Sequence, residues 1–597
     1  MKSNLIIARL VLFLSILPGI ILAILIWKYT VNFIYWDQWD VALSIHQYFT
    51  NFYLSFKTLI SQHNESRLLF PRLIFIGLAY LTHWDVRYEM LVTFLLACLI
   101  SFNVYRLNKL TLGGGRLQTL AIFFLANLLI FAPIQYENWL WGIQIVVFAP
   151  TACITTAIVI AYSKINVRAK FLIGIILSTI STFSYANGIL CWVIILPVIV
   201  IVTWKDLAKE KWLILAYFSA FASNLFLYFY DYRKPEGSPS ILLVIFQPER
   251  LIKFFFGFLG SPLGWGLIKT GWSLSSLLNK SFIIGLVLAV MFSCTFFYLI
   301  IQRKDAALIS RMIGWLMIGA YPIISSLIAG VGRSGDSPEA GLALRYTTFS
   351  VVLPIALLHL VAITFKDADT KGYFVNNQKR IVQFISLIAL GIFIYLHIIT
   401  SEFAIKRMNL WRLDILQGRA CVAFINIVTE TKCIKEKVYP HDVFKIQGIA
   451  NDLSQIGFIS IKLVNNNNIR EIEGDANLTE KDYKYGSFDR LAKLKEREFV
   501  ADGWARLPER KAPYDGVLLT YENSQGEDII FAMADERFGR PDVAKTIKKR
   551  EYAMSGWRKN FSTDKLPKGS LKIKAWAFDT DTGKAYRIGG TQFLQNL

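Results

Sequence analysis

The stretch "YWDQWD", residues 35 to 40, puts two carboxylates three residues apart directly after the first apolar run of the chain. Residues so spaced share a helix face, so Asp37 and Asp40 would point one way, and Trp36 and Trp39 another. A carboxylate among aromatic rings at a bilayer edge is partly desolvated, which makes it a better proton acceptor. The acids therefore read as a candidate general base, and the indoles as part of an interfacial aromatic belt. Other polar residues stand out in apolar surroundings: His63, Glu65 and Arg67 in "QHNESR", Glu137 and Asn138 in "QYENWLWG", "SYANG" at 184 to 188, and Arg333 and Arg345 in "VGRSGDSPEAGLALRY". Arginine's planar fork matches phosphate oxygens. Arg67, Arg333, Arg345 and His63 are thus candidate phosphate partners, and Glu65, Glu137 and Asn138 candidate substrate-binding groups.

The elements that would position these groups follow from composition. The chain is 54% hydrophobic and 14% aromatic with only 18% charged residues, which points to a polytopic α-helical membrane protein. A crossing needs roughly 20 apolar helical residues. Eleven spans are expected, at about 10–28, 88–105, 117–133, 141–162, 171–186, 188–203, 212–230, 281–302, 312–330, 347–365 and 381–400. The first follows Lys2 and Arg9 and lacks a small-x-small cleavage site, so it reads as an uncleaved span.

Basic residues fall in alternate loops: Arg106, Lys109 and Arg116; Lys164, Arg168 and Lys170; Lys205, Lys209 and Lys211; Arg303, Lys304 and Arg311; Lys366, Lys371, Lys379 and Arg380. By the positive-inside rule these loops are cytoplasmic, as is the N-terminus, and the C-terminal region is extracytoplasmic. Counting "PRLIFIGLAYLTHW", 71 to 84, as a span would invert every later loop. It is therefore expected to lie along the outer surface, within a long first external loop, 29–87, built of surface helices.

The same loops hold much of the +21 net charge, so nucleic acid is not an expected partner. They are also too short for a nucleotide-binding domain, and "GGGR" at 113 to 116 reads as a plain turn. All the unusual polar loops named above fall on the outer face. "FFFGFLGSPLGWG", in the external loop 231–280, reads as a re-entrant or surface segment.

After the membrane domain, 1–400, the composition becomes globular. Helical periodicity suggests an extracytoplasmic helical segment over 401–465, including an amphipathic helix within 436–458, and a polar linker, 466–496, follows. Short alternating runs over 497–597, "FVADGWARL", "GVLLTYE", "DIIFAMA", "GWRKNFS", "SLKIKAWAFD" and "AYRIGGTQFL", predict a C-terminal β-sandwich. Cys421 and Cys433 are a candidate disulfide in an oxidising compartment. Trp504, Trp557 and Trp576 would suit sugar stacking only if two were exposed; otherwise they are core.

Outside the cell, nucleotide sugars and ATP are absent, and a lipid-linked activated sugar fits the placement of the polar loops. A carboxylate would take the proton from an acceptor hydroxyl while the anomeric carbon loses a polyprenyl phosphate. In layout the first 365 or so residues resemble a GT-C superfamily glycosyltransferase, distantly like the lipid A aminoarabinose transferases and protein mannosyltransferases. "WDQWD" stands where those enzymes carry an acid in the first external loop. "QHNESRLLFPRL" is similar to their His-Pro-Pro or Lys-Pro-Pro element, with His63 at the first position and Asn64 and Glu65 in place of the prolines. "RPDVA" and "SGW" in the tail look like those of bacterial membrane glycosyltransferase-like proteins.

The resemblance implies a bacterial cytoplasmic-membrane enzyme with a polyprenyl-phosphate sugar donor and an envelope glycan, lipid or protein as acceptor. Asp37 would be the base and Asp40 its helper, with exchange of their roles left open. A divalent metal assists in some branches of that family and not in others. Two other classes compete: a transporter or flippase of lipid-linked sugars, which would need charged residues or repeats inside the spans, and an O-antigen polymerase or ligase, for which the loop with Arg233, Lys234 and Arg250 is a partial fit.

Overall fold

A computed structural model describes residues 2–596 except 52, 113, 114, 236–238, 240, 241, 269–272, 429–431, 441, 475–483, 509 and 511. Half of the "GGGR" turn thus lies outside the described residues. The chain is 65% helical with a C-terminal β-sheet region. It divides into two compact units, Met1–Thr30 with Ser55–Gly77 and Arg87–Asn409, and Val31–Leu54 with Leu78–Val86 and Leu410–Leu597.

Among the described residues, nine helices are long and apolar enough to cross a membrane: Arg9–Tyr29, Arg87–Thr111, Leu117–Trp139, Gly142–Ala161, Trp212–Phe229, Leu274–Ile301, Ala306–Arg333, Leu344–Thr370 and Asn377–Ala423. In hydrocarbon every backbone donor and acceptor must pair within its own segment, so leucine-, isoleucine- and phenylalanine-rich runs of this length fold as helices. The expected spans 171–186 and 188–203 differ. They are Val167–Thr182 and Leu190–Val202, of 16 and 13 residues, and at 1.5 Å per residue both are shorter than a roughly 30 Å core.

Between these two helices the chain breaks at Ser184-Tyr185. A Cβ on Gly188 would lie 1.7 Å from the Ser181 carbonyl oxygen, so only glycine fits where the two helix ends approach. Ser181 Oγ donates to the Gly188 carbonyl at 2.9 Å, and Trp192 Nε1 to Thr182 Oγ1 at 3.0 Å, which fixes the break.

"FFFGFLGSPLGWG", expected as a re-entrant or surface segment, is α-helical over all but its last two residues. It forms most of the helix Pro248–Gly264. That helix packs backbone to backbone on Leu274–Ile301, where a Cβ on Gly260 would meet the Ser281 carbonyl at 1.8 Å. Small residues permit this approach, as they do between membrane helices. Of the segment 71 to 84, residues 71–82 lie in the 14-residue helix Leu69–Thr82, which is shorter than a crossing requires.

In the second unit the helix Gln38–Asn51 follows the acid pair. Its Phe49 ring meets Phe458 edge-on at 4.4 Å, and Ser460 Oγ donates to the Asn32 carbonyl at 3.0 Å. Residues 31–54 thus pack with the tail, a long-range pairing that periodicity does not reveal. The expected domain edge at 400 also moves, because Asn376–Ala423 is one continuous 48-residue helix and the units divide after Asn409.

Two antiparallel sheets form the C-terminal region. One runs Gly486–Lys493, Glu498–Ala505, Gly556–Ser562, Glu536–Phe538; the other runs Lys584–Arg587, Gly569–Asp579, Gly516–Glu522, Asp528–Met533, with Gln592–Asn596 also on Gly569–Asp579. Phe488, Val517, Leu519, Trp557, Ile573 and Leu594 belong to their shared core. The expected linker 466–496 is partly sheet: it contributes the strand Gly486–Lys493, and Ile530 N–H donates to the Asn467 carbonyl at 2.7 Å. Asparagines read as linker because of their side chains, whereas this pairing uses only the backbone.

Candidate functional site

In the second unit the acid pair is built by a tight turn. Trp36 takes a left-handed φ of 48°, and Gln38 Oε1 accepts from Tyr35 N at 3.2 Å, closing the turn over Asp37. Asp40 lies in the first turn of Gln38–Asn51, where the N-terminal dipole favours a carboxylate. Both acids are half-buried, and an oxygen of one lies within 4.8 Å of an oxygen of the other. Two hard oxygen donors within that distance of each other can hold a divalent cation.

Asp40 is engaged by the tail. Its Oδ1 accepts from Tyr439 Oη at 2.8 Å and from Lys445 Nζ at 3.4 Å. Burial first, then the hydrogen bond to Asp40 and the charges of Asp40, Asp37 and Asp442, push the Tyr439 phenol above its ordinary range. It therefore stays a donor. Neither Tyr439 nor Lys445 stands out in the sequence; the signal was their place in an amphipathic tail segment that has no motif.

The indoles are not a simple surface belt. Trp39 is fully buried and Trp36 half-buried, so Trp39 packs as core.

In the first unit, Gln62–His63 and Ser66–Arg67 pair as a small hairpin, with His63 opposite Ser66. Asn64 turns it with a φ of 49°, a conformation asparagine tolerates and proline, fixed near −65°, cannot adopt. This is the physical reason that the two-proline element cannot occupy the same turn here. The Asn64 side chain also reaches His63 Nε2 at 3.4 Å.

Arg67 is a clasp. Its side chain is buried and donates to the carbonyls of Tyr228 at 2.6 Å and Ile60 at 2.9 Å, and to that of Tyr230. Those of Tyr228 and Tyr230 belong to the end of Trp212–Phe229, where carbonyls lack helical partners. Arg67 is therefore committed to structure rather than presented to a phosphate.

Glu65 and Arg333 form an ion pair at 2.5 Å, each about one-third exposed. Tyr228 Oη donates to the Glu65 carbonyl at 2.5 Å, and Ser66 Oγ accepts from Ala186 N at 3.1 Å, which ties the hairpin to the helix break. Tyr185, in that break, stacks on Phe349 with centroids 5.6 Å apart. Burial pushes its phenol up, with Tyr346, Arg345, Glu65 and Arg333 all close enough to act on it. Tyr185 thus joins four charged or phenolic groups from three distant parts of the chain. "SYANG" flagged the segment without singling out the tyrosine.

Arg345 is exposed, and Asn138 holds its backbone. Asn138 Nδ2 donates to the Arg345 carbonyl at 3.2 Å and to Thr348 Oγ1 at 2.7 Å, and Thr348 Oγ1 donates to Gln135 Oε1 at 2.7 Å. Glu137 is near enough for its charge to act on Arg345. Asn138 is fully buried, so it positions Arg345 and does not itself face a substrate.

Cys421 and Cys433 form the expected disulfide. Trp557 and Trp576 are buried, which leaves only Trp504 partly accessible and no stacking platform of two exposed indoles. No family model, curated protein or solved structure matches the chain.

Proposed function

We propose that the protein is a membrane glycosyltransferase that moves a sugar from a polyprenyl-phosphate donor to an envelope glycan, lipid or protein at the outer face of a bacterial cytoplasmic membrane. The observation that carries this reading is the pair Asp37 and Asp40, half-buried, with oxygens within 4.8 Å of each other at the start of a helix. One carboxylate takes the proton from the acceptor hydroxyl as its oxygen bonds to the anomeric carbon. The bond from that carbon to the phosphate oxygen breaks, and its electron pair leaves with the polyprenyl phosphate. Phosphate leaves without a strong general acid, so one base suffices.

Arg345 is the phosphate partner in this reading, because it is the exposed residue of the three arginines while Arg67 is committed to carbonyls and Arg333 to Glu65. Tyr185 is a second donor near it. Topology supports the same face: with the basic loops cytoplasmic, the acids, the hairpin and the Arg333 to Arg345 loop are all external.

The test supplies radiolabelled polyprenyl-phosphate sugars, and separately nucleotide sugars, to membranes containing the full-length protein. Label should move to an envelope acceptor from the lipid donor alone. Transfer from nucleotide sugars, or from none of the donors, would reject the proposal.

A further inference from the structure

The tail segment that reaches Asp40 is held at several points within the second unit. Cys433, in the helix Lys432–Lys437, is bonded to Cys421 of the long helix Asn376–Ala423, which closes the chain at a sequence separation of 12. Lys437 Nζ donates to Asp414 Oδ1 at 2.6 Å, on the same long helix. Val438 and Tyr439 both donate from their amides to the Ile434 carbonyl, at 2.9 and 2.8 Å, and the Val438 carbonyl accepts from Trp36 N at 2.8 Å. Cys433, Ile434, Val438 and Tyr439 are all buried.

The chain of constraints therefore runs from the disulfide to the turn that carries the acids. It ends in one directed interaction, Tyr439 Oη to Asp40 Oδ1 at 2.8 Å, with Lys445 Nζ also 5.6 Å from the Tyr439 ring centroid. A core tyrosine needs any acceptor; this one spends its hydroxyl on one of the two acids.

We infer that Tyr439 is a positioning residue that orients the Asp40 carboxylate beside Asp37, and that the Cys421–Cys433 disulfide holds Tyr439 in place to do so. The inference rests on the glycosyltransferase reading and adds to it that the tail is part of the active machinery. The phenol is the stronger fixing group, because it is shorter and more rigid than Lys445 and stays protonated beside the acids. It fixes one lone pair of Asp40, which sets where the other oxygen points. Misplacing a reacting group by about 1 Å costs on the order of 100-fold in rate.

The test compares wild type, Tyr439→Phe, Asp40→Asn, the double variant Tyr439→Phe/Asp40→Asn, and Cys421→Ser/Cys433→Ser, each as full-length protein in membranes. Phenylalanine keeps the ring and its packing, so Tyr439→Phe is expected to fold. It should lower kcat at least about tenfold with the donor KM unchanged, because the phosphate partners are untouched. Its effect should vanish in the Asp40→Asn background, where no carboxylate is left for the phenol to orient. Cys421→Ser/Cys433→Ser should show the same kcat loss, with an unfolding temperature that reports separately on stability.

A Tyr439→Phe variant with wild-type kcat, or one whose loss adds fully to that of Asp40→Asn, would overturn the inference and leave the proposed function standing. A disulfide variant with full kcat would remove the disulfide from it. Absence of transfer by the wild type would overturn the proposed function, and this inference with it.

Discussion

Asp40 and Asp37 are three residues apart but meet different surroundings, and that difference makes separate predictions for each. Asp40 receives Tyr439 and Lys445, whereas Asp37 sits in the turn closed by Gln38. If Asp37 is the proton acceptor, Asp37→Asn should lower kcat by about 100-fold or more, and Asp40→Asn by less, both measured as transfer from a saturating donor. Equal losses would mean that the pair acts as one unit. Arg345→Lys keeps a charge but loses the fork, so the donor KM should rise by roughly tenfold while kcat changes little. Arg67→Lys should instead show itself as lost thermal stability, because a single ammonium cannot reach three carbonyls.

The individual acids and Arg345 were visible in the sequence because a charged group in an apolar chain is conspicuous. Tyr185, Tyr439 and Gln135 were not. Each is an ordinary core-type or turn residue until the fold brings a carboxylate, an arginine or a threonine to it, and such pairings span 120 to 399 positions in sequence.

At the scale of elements, the break between Val167–Thr182 and Leu190–Val202 is the part whose geometry allows least change. Gly188→Ala would force a Cβ to within 1.7 Å of a backbone oxygen. We expect a loss of at least about 2 kcal/mol, read as a drop in unfolding temperature in detergent, together with reduced transfer, since Tyr185 moves with the break. In the sandwich, Trp557 has no exposed surface and Trp504 has some. Truncating Trp557 to alanine should cost roughly 3–5 kcal/mol, and Trp504→Ala clearly less.

The sandwich strands were legible because alternation with turn residues marks them; "GVLLTYE" and "GWRKNFS" coincide with strands residue for residue. The strand Gly486–Lys493 was hidden by the polar run before it, and Glu536–Phe538 by its length of three residues. Helices 171–186 and 188–203 were expected as spans because hydropathy does not see that a serine, a tyrosine and a glycine end one helix and begin the next.

For the whole molecule, the long apolar helices were readable from composition alone, but the grouping of the chain into units was not. The loop with the acids, Val31–Leu54, belongs to the same compact unit as Leu410–Leu597, although hundreds of residues separate them. The charge pattern predicts an orientation that is open to direct measurement. Single cysteines placed at Arg303 or Lys371 should react with a membrane-impermeant reagent only after the membrane is opened, whereas one at Asp336 should react in intact cells. The reverse pattern would put the acids on the cytoplasmic face and remove the reason for a lipid-linked donor.

The proposed role of Asp37 and Asp40 is proton transfer in a reaction that breaks a sugar to phosphate bond. It is tested most directly by single-turnover transfer from a radiolabelled polyprenyl-phosphate sugar, comparing wild type with Asp37→Asn/Asp40→Asn while donor binding is measured on the same samples. The double variant is expected to bind donor as the wild type does and to transfer at least about 100 times more slowly. Undiminished transfer by the double variant would contradict it.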